Sequence, residues 1–272
     1  MLGASHLLHA APDTATYIID TIGFHRFDVL MIDFRNIPSD DPVLDQSPLV
    51  RALDFLVAKF DEHPNGIPLT KSLFFKRDLV AEAIVEIQWP DWTEQQIYHG
   101  YMPIKVADEH HFEPFRDLHH HLVNLKLVRH YKGKLLLSKT GKALFADRFQ
   151  RFHRLAQYVL FEDPHRLFMR QEYGVFGNWD VWLNVMDIET THGATGKHIT
   201  DTFYGVEDEP NEFDPRTSRL HSSVLEPLIY CGLLDENREN GRKLVERVYL
   251  KTQLWQRYLK LDEKPPMLRV VH

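Results

Sequence analysis

Apolar positions along the chain alternate between a helical and a strand-like period, and the changes of period divide it into blocks. Within residues 1–45 the pattern predicts a short helix over 14–22 and a strand within 27–34. A breaker cluster, Ile37-Pro38-Ser39-Asp40-Asp41-Pro42, follows. From Pro48 the spacing turns helical, with Leu49, Leu53, Leu56, Val57 and Phe60 on one face, and His63-Pro64-Asn65-Gly66 ends the run. A new block opens at Ile67. Its first helix carries Leu79, Ile84 and Val85 on the apolar side and ends before Trp89-Pro90, after which Asp91 or Thr93 can cap another. Residues 112–127 are amphipathic through Phe115, Leu118, Leu122 and Leu125, with Pro114 tolerated in the first turn. The period then becomes that of strands. Residues 127–131 and 134–137 flank Lys132-Gly133 and read as a hairpin, and a helix is expected over 142–158.

The same syntax returns near the C-terminus. Leu122-Val123-Asn124-Leu125-Lys126-Leu127-Val128 matches Leu228-Ile229-Tyr230-Cys231-Gly232-Leu233-Leu234 at an offset of 106, and Leu137-Ser138-Lys139-Thr140 matches Tyr249-Leu250-Lys251-Thr252 at 112. The difference is a six-residue insertion falling at Asn237-Arg238-Glu239-Asn240-Gly241, where a hairpin turn belongs and insertions are tolerated. Two copies are too few for a solenoid, so the repeat predicts two related domains. The fold class is mainly α with small β-hairpins (α+β).

The helix ending Asn124-Leu125-Lys126-Leu127-Val128, followed by Lys134-Leu135-Leu136-Leu137-Ser138-Lys139-Thr140-Gly141-Lys142-Ala143-Leu144, resembles the helix–wing–helix end of winged helix-turn-helix domains. The resemblance covers residues about 67–150 well and about 165–260 weakly. It implies an N-terminal arm over 1–62 that serves dimerisation, a winged-helix-like domain over 63–160 and a divergent one over 161–272. Residues 190–216 show no clear first helices for that second copy.

Composition narrows the function classes. The 272 residues are 43% hydrophobic and 26% charged, enough for a proper core, with a formal net charge of −7. No stretch reaches the ~20 apolar residues of a membrane span, and the first residues lack a secretory pattern, so the cytoplasm is the expected compartment. Cys231 is the single cysteine and sits in an apolar run, where a buried thiol is expected. Against the acidic total, nine basic residues fall between Lys126 and Leu155 with Asp147 the one acid among them. The resemblance places Lys132 and Lys134 at the wing tip. It puts Arg116, His119 and His120 on the preceding helix, the usual reader of the major groove, with Lys126, Arg129, Lys139 and Lys142 completing the contact set. A solvated face is the plain alternative. The second copy carries Arg242, Lys243, Arg247, Lys251, Arg257 and Lys260, and an acidic stretch with Glu207, Asp208, Glu209, Glu212 and Asp214 precedes it.

Histidine is abundant, with 17 in the chain. Asp117 with His120 or His121 can share a helix face and are the candidate metal ligands, although no HExxH is present. Protonation of this cluster near pH ~6 is expected to tighten anion binding. The tryptophans Trp89, Trp92, Trp179, Trp182 and Trp255 suit core or interface positions, Trp179 and Trp182 an interface between the two units. No P-loop, dinucleotide fingerprint or GxSxG elbow occurs, no cofactor is implied, and no catalytic residue is assigned. Three readings follow. The first is a tandem winged-helix protein binding double-stranded DNA, for which a homodimer is the expected state. The second is an interaction module for a protein partner, and the third a metal-dependent enzyme on the histidine-rich helix.

Overall fold

The computed structural model describes residues 32–172, 175, 177–206, 214–239, 241 and 243–261. The expected helix over 14–22, most of the 27–34 run, Arg242 and the acids Glu207, Asp208, Glu209 and Glu212 lie outside them. The fold is mainly α-helical with small antiparallel sheets, in line with the pattern.

Strand β1 (Asp33–Phe34) leads through a 3-10 turn to helix α1 (Pro48–Glu62). Ser47 caps α1, its Oγ accepting from Val50 N–H at 3.2 Å, and Pro48 suits a first turn that needs no amide donor. Then come β2 (Ile67–Pro68), α2 (Arg77–Ile87), α3 (Glu94–His99), α4 (Glu113–Asn124) and the hairpin β3 (Val128–Tyr131) with β4 (Lys134–Leu137). Thr93, not Asp91, starts α3, through a capping box with Gln96. Leu79 and Ile84 are buried on α2, but Val85 is 50% exposed, one position round from the inward face.

The helix expected over 142–158 is two helices, α5 (Lys139–Phe145) and α6 (Arg148–Gln157), continued by a π turn at Tyr158–Glu162. The break is local chemistry. Asp147 leaves helical backbone, and its carboxylate accepts from Gln150 N–H at 2.8 Å, starting a new helix in mid-pattern. The second half adds α7 (Pro164–Glu172), α8 (Trp179–Glu189), β5 (Ala194–Thr195), α9 (Gly196–Tyr204) and α10 (Pro215–Leu220). After it come α11 (Glu226–Tyr230), the hairpin β6 (Leu234–Asn237) with β7 (Val248–Lys251), α12 (Gln253–Tyr258) and β8 (Leu259–Lys260). Residues 190–216 therefore hold a helix the pattern missed. Thr195 caps α9, and only Gly196, Ile199 and Thr200 are buried on it.

The repeat is present in three dimensions with a corrected register. Each half forms a three-stranded sheet, β2-β4-β3 and β5-β7-β6. Val128 pairs with Leu137, and Leu234 with Lys251, so the first strands lie 106 residues apart and the second strands 114, not 112. The true insertion is eight residues, and Thr252, the cap of α12, is the counterpart of Ser138, the cap of α5. Short similar strings aligned two residues early because Leu-Lys-Thr and Ser-Lys-Thr look alike without their partner strands.

Residues 32–62 do not stand apart as an arm. Leu49, Val50, Leu53 and Leu56 are fully buried, and α1 packs on α2 and α6. Strand β1 pairs with β8, Phe34 opposite Leu259. Ser47 Oγ donates to Cys231 O at 2.7 Å, and a Cβ on Gly232 would come within 2.5 Å of Ser47 Cα. The first strand, the first helix and the end of the second repeat thus close on one another. Trp179 docks α8 onto the end of the first repeat, its ring edge-on to Phe161 at 5.5 Å with Arg170 over its face. Trp89, Trp182 and Trp255 are likewise buried. No helix among the described residues is long and apolar enough to cross a membrane.

Candidate anion-binding surface

The hairpin β3–β4 turns on Lys132 and Gly133, both in left-handed backbone (φ 49° and 71°), the combination a tight two-residue hairpin turn requires. Strand alternation puts Val128 and His130 on the side of His119 and turns Arg129 and Tyr131 to the opposite face, and of the four only Val128 is buried. Tyr131 is 48% exposed, and both the Arg129 guanidinium and the Lys132 ammonium lie 5.2 Å from its ring centre. Helix α4 ends in a left-handed Lys126 (φ 56°), with Leu127 N–H donating back to Leu122 O at 3.0 Å, as a Schellman ending does. Past the hairpin, Ser138 caps α5, whose first turns expose Lys139 and Lys142. Gly141 lets α5 approach so closely that a Cβ there would lie 2.0 Å from Leu127 O.

Lys126, Arg129, Lys132, Lys134, Lys139 and Lys142 have no acidic partner among the described residues. The other three cations of the basic run are tied up: Arg148 and Arg151 bind Asp54, and Arg154 binds Glu162 at 2.8 Å. The sequence reading missed Lys71, exposed on the loop after β2. Leu69 N–H donates to Gly133 O at 2.8 Å, which lays that loop beside the hairpin tip. Tyr131 was missed too, although an aromatic next to Lys-Gly in an alternating strand was visible.

Helix α4 behaves differently from the expectation. His119 is only 2% exposed, so it is not a surface contact. Its Nδ1 lies 2.8 Å from the buried Glu109 Oε1, its Nε2 lies 3.0 Å from His130 Nε2, and its ring lies over Phe75. Glu109 accepts Phe75 N–H on its other oxygen at 2.5 Å. Arg116 is paired with Glu113 at 2.9 Å and with Asp117. The N-terminal end of α4 is covered by the second repeat, with Tyr230 Oη donating to Pro114 O at 3.3 Å. His120 is exposed, but its outward neighbours on α4 include Glu113 and Asp117. The helix expected to read bases therefore presents acids and a partly covered face, and the cations sit on the hairpin and α5.

Asp117, His120 and His121 do line one cleft of about 290 Å³, with Asp163 and His165 across it. No group of three or more His, Cys, Asp or Glu side chains among the described residues is placed to hold a metal ion. Burial and the neighbouring His119 hold both His120 and His130 below the ordinary histidine value. Both rings therefore gain charge at lower pH than an unperturbed histidine does.

The second hairpin is built alike and charged differently. Arg247 and Arg238 both bind the buried Glu236, Lys251 binds Asp187 at 2.8 Å, and Lys260 binds Asp33 at 2.9 Å. Arg257 pairs with Asp41. Two family models match the chain. Residues 45–150 match the Y4jL N-terminal domain and residues 169–253 the y4jL C-terminal domain. Neither description names an activity. No curated protein and no solved structure matches. The unpaired cations all lie within the span of the Y4jL N-terminal match, and the neutralised hairpin lies within the y4jL C-terminal match. The N-terminal match begins inside the segment expected to be a separate arm, in keeping with the burial of α1.

Proposed function

We propose that the protein binds nucleic acid through its first hairpin, as a tandem winged-helix protein in which the second copy is structural. One observation carries this reading. Six cations without acidic partners lie on one hairpin and the helix ends that flank it, two of them against an exposed tyrosine, in a chain of net charge −7. Phosphate contacts from Lys and Arg supply most sequence-independent affinity, and a flanked aromatic offers a base a stacking face. The order strand, helices, hairpin, given twice, supports the winged-helix comparison. The acidic outer face of α4 favours backbone contact over base reading.

A 30-mer duplex and a 30-mer single strand, titrated by fluorescence anisotropy at 50 and 200 mM salt, test it. Four to six phosphate contacts predict a loss of about 10²–10³-fold in affinity across that range. Lys132→Glu/Lys134→Glu is expected to abolish binding while leaving the thermal midpoint in place. Folded protein that binds neither strand form at 50 mM salt overturns the reading. A protein partner is the second reading, favoured by the exposed Tyr101, Met102 and Val106 between α3 and α4.

A further inference from the structure

On the flank of the hairpin, away from its tip, runs a groove of about 720 Å³ between α1, β4 and α5, within the size range of small-ligand sites. Its floor is apolar, formed by Val57, Phe60, Leu136 and Phe145. Its edges are cationic. Arg129 from β3 and Lys142 from α5 both line it, and neither has an acidic partner among the described residues. Arg151 lines it from below and is 7% exposed. One terminal nitrogen of Arg151 binds Asp54, the other donates to Phe145 O at 2.9 Å, and Nε has no partner at all. A buried guanidinium N–H without an acceptor is costly, because its lost hydration is not replaced. Asp61 and His63 also border the groove, so the opposing charge there is a single carboxylate.

We infer that this groove binds a small organic anion whose apolar body lies on Phe60, Leu136 and Phe145 and whose carboxylate accepts from Arg129 and Lys142. The apolar floor selects against inorganic phosphate, which has nothing to place there. The two unpaired cations select against a neutral or cationic amphiphile of the same shape.

The test uses the full chain and anilinonaphthalene sulfonate, a fluorescent apolar anion, as the probe. Octanoate and octylamine, equal in chain length and opposite in charge, are the competitors. Stoichiometric probe binding, displaced by octanoate and not by octylamine, is the expected result. Arg129→Ala/Lys142→Ala, at exposed positions, should weaken octanoate competition by about tenfold or more, as the loss of charge-assisted contacts does. No probe binding, equal displacement by octylamine, or unchanged competition in the double variant overturns the site. Lys132→Glu/Lys134→Glu is expected to leave octanoate binding as it is, so failure of the nucleic-acid reading and failure of this one are read separately.

Discussion

Lys126 occupies a backbone conformation that glycine adopts at least cost, φ 56° at the end of α4. At the equivalent place in the second repeat stands Gly232, φ 76°, with the same return bonds: Gly232 N–H to Ile229 O and Leu233 N–H to Leu228 O. A lysine in that position carries strain of about 1 kcal/mol or more, and the first copy keeps it where a cation faces outward. Lys126→Gly is therefore expected to act with two signs. Stability should rise by up to about 1 kcal/mol in urea titration, after the flexibility glycine adds to the unfolded chain is discounted. Affinity for a nucleic-acid strand should fall, with a shallower salt dependence. A loss of stability would show that the left-handed strain is not real.

Among the elements, the 3-10 turn Glu109–His111, helix α4 and strand β3 are joined by one hydrogen-bonded chain, Glu109 to His119 to His130. Glu109 is fully buried, and its two oxygens accept from His119 Nδ1 and Phe75 N–H. Glu109→Ala leaves two buried donors without acceptors, and a destabilisation of about 2–4 kcal/mol follows. Glu109→Gln, which keeps an acceptor oxygen, should cost less. Urea midpoints of the two variants check the order, and equal midpoints would mean the chain contributes no specific hydrogen bonding. The two hairpins make the complementary point. Their strands have equal lengths, yet β3–β4 turns in two residues and displays its cations. The longer β6–β7 connection folds Arg238 and Arg247 back onto Glu236.

For the whole molecule, the histidines and the bound carboxylates make stability fall with pH in two stages. Burial holds His120, His130 and His153 below the ordinary value, so between that value and their own the unfolded chain binds more protons than the folded one. Stability is therefore lost as pH drops through about 6.5 and continues to fall below it. Burial alone would raise Asp163, Asp214 and Glu236. Hydrogen bonds from His121, Arg216, and the set of His221, Arg247 and Arg238 nevertheless hold their carboxyls below the usual range. Their contribution is present above pH ~4 and is lost as pH falls through their depressed values. Asp91, pushed up by burial, opposes this weakly. Urea midpoints at pH 8, 6.5, 5 and 4 should decline throughout, and a flat profile from pH 8 to 5 would contradict the histidine stage.

Periodicity and punctuation were enough to place α1, α2, α4 and the first hairpin, because each buries one stripe or alternates about one turn and ends at its own breaker. The repeat and the candidate cations Lys126, Arg129, Lys132, Lys134, Lys139 and Lys142 were legible for the same reason: they belong to local strings. Partners were not. That His119 is interior, that Arg148, Arg151 and Arg154 are neutralised, and that the second hairpin's charges are balanced depend on Glu109, Asp54, Glu162, Glu236 and Asp187. Asp54 and Asp187 stand 97 and 64 residues from Arg151 and Lys251, and Glu109 and Glu236 reach His119 and Arg247 only across element boundaries. The register of the second hairpin and the burial of residues 32–62 are of this kind too. Sequence by itself determines the strongly periodic helices, the first hairpin and where charge is concentrated, since those follow from near neighbours, though not α9 or the break at Asp147. Only the tertiary structure decides which charges remain unpaired and which faces stay open, because contacts such as Arg151 with Asp54, Ser47 with Cys231 and Asp33 with Lys260 join residues 97, 184 and 227 positions apart.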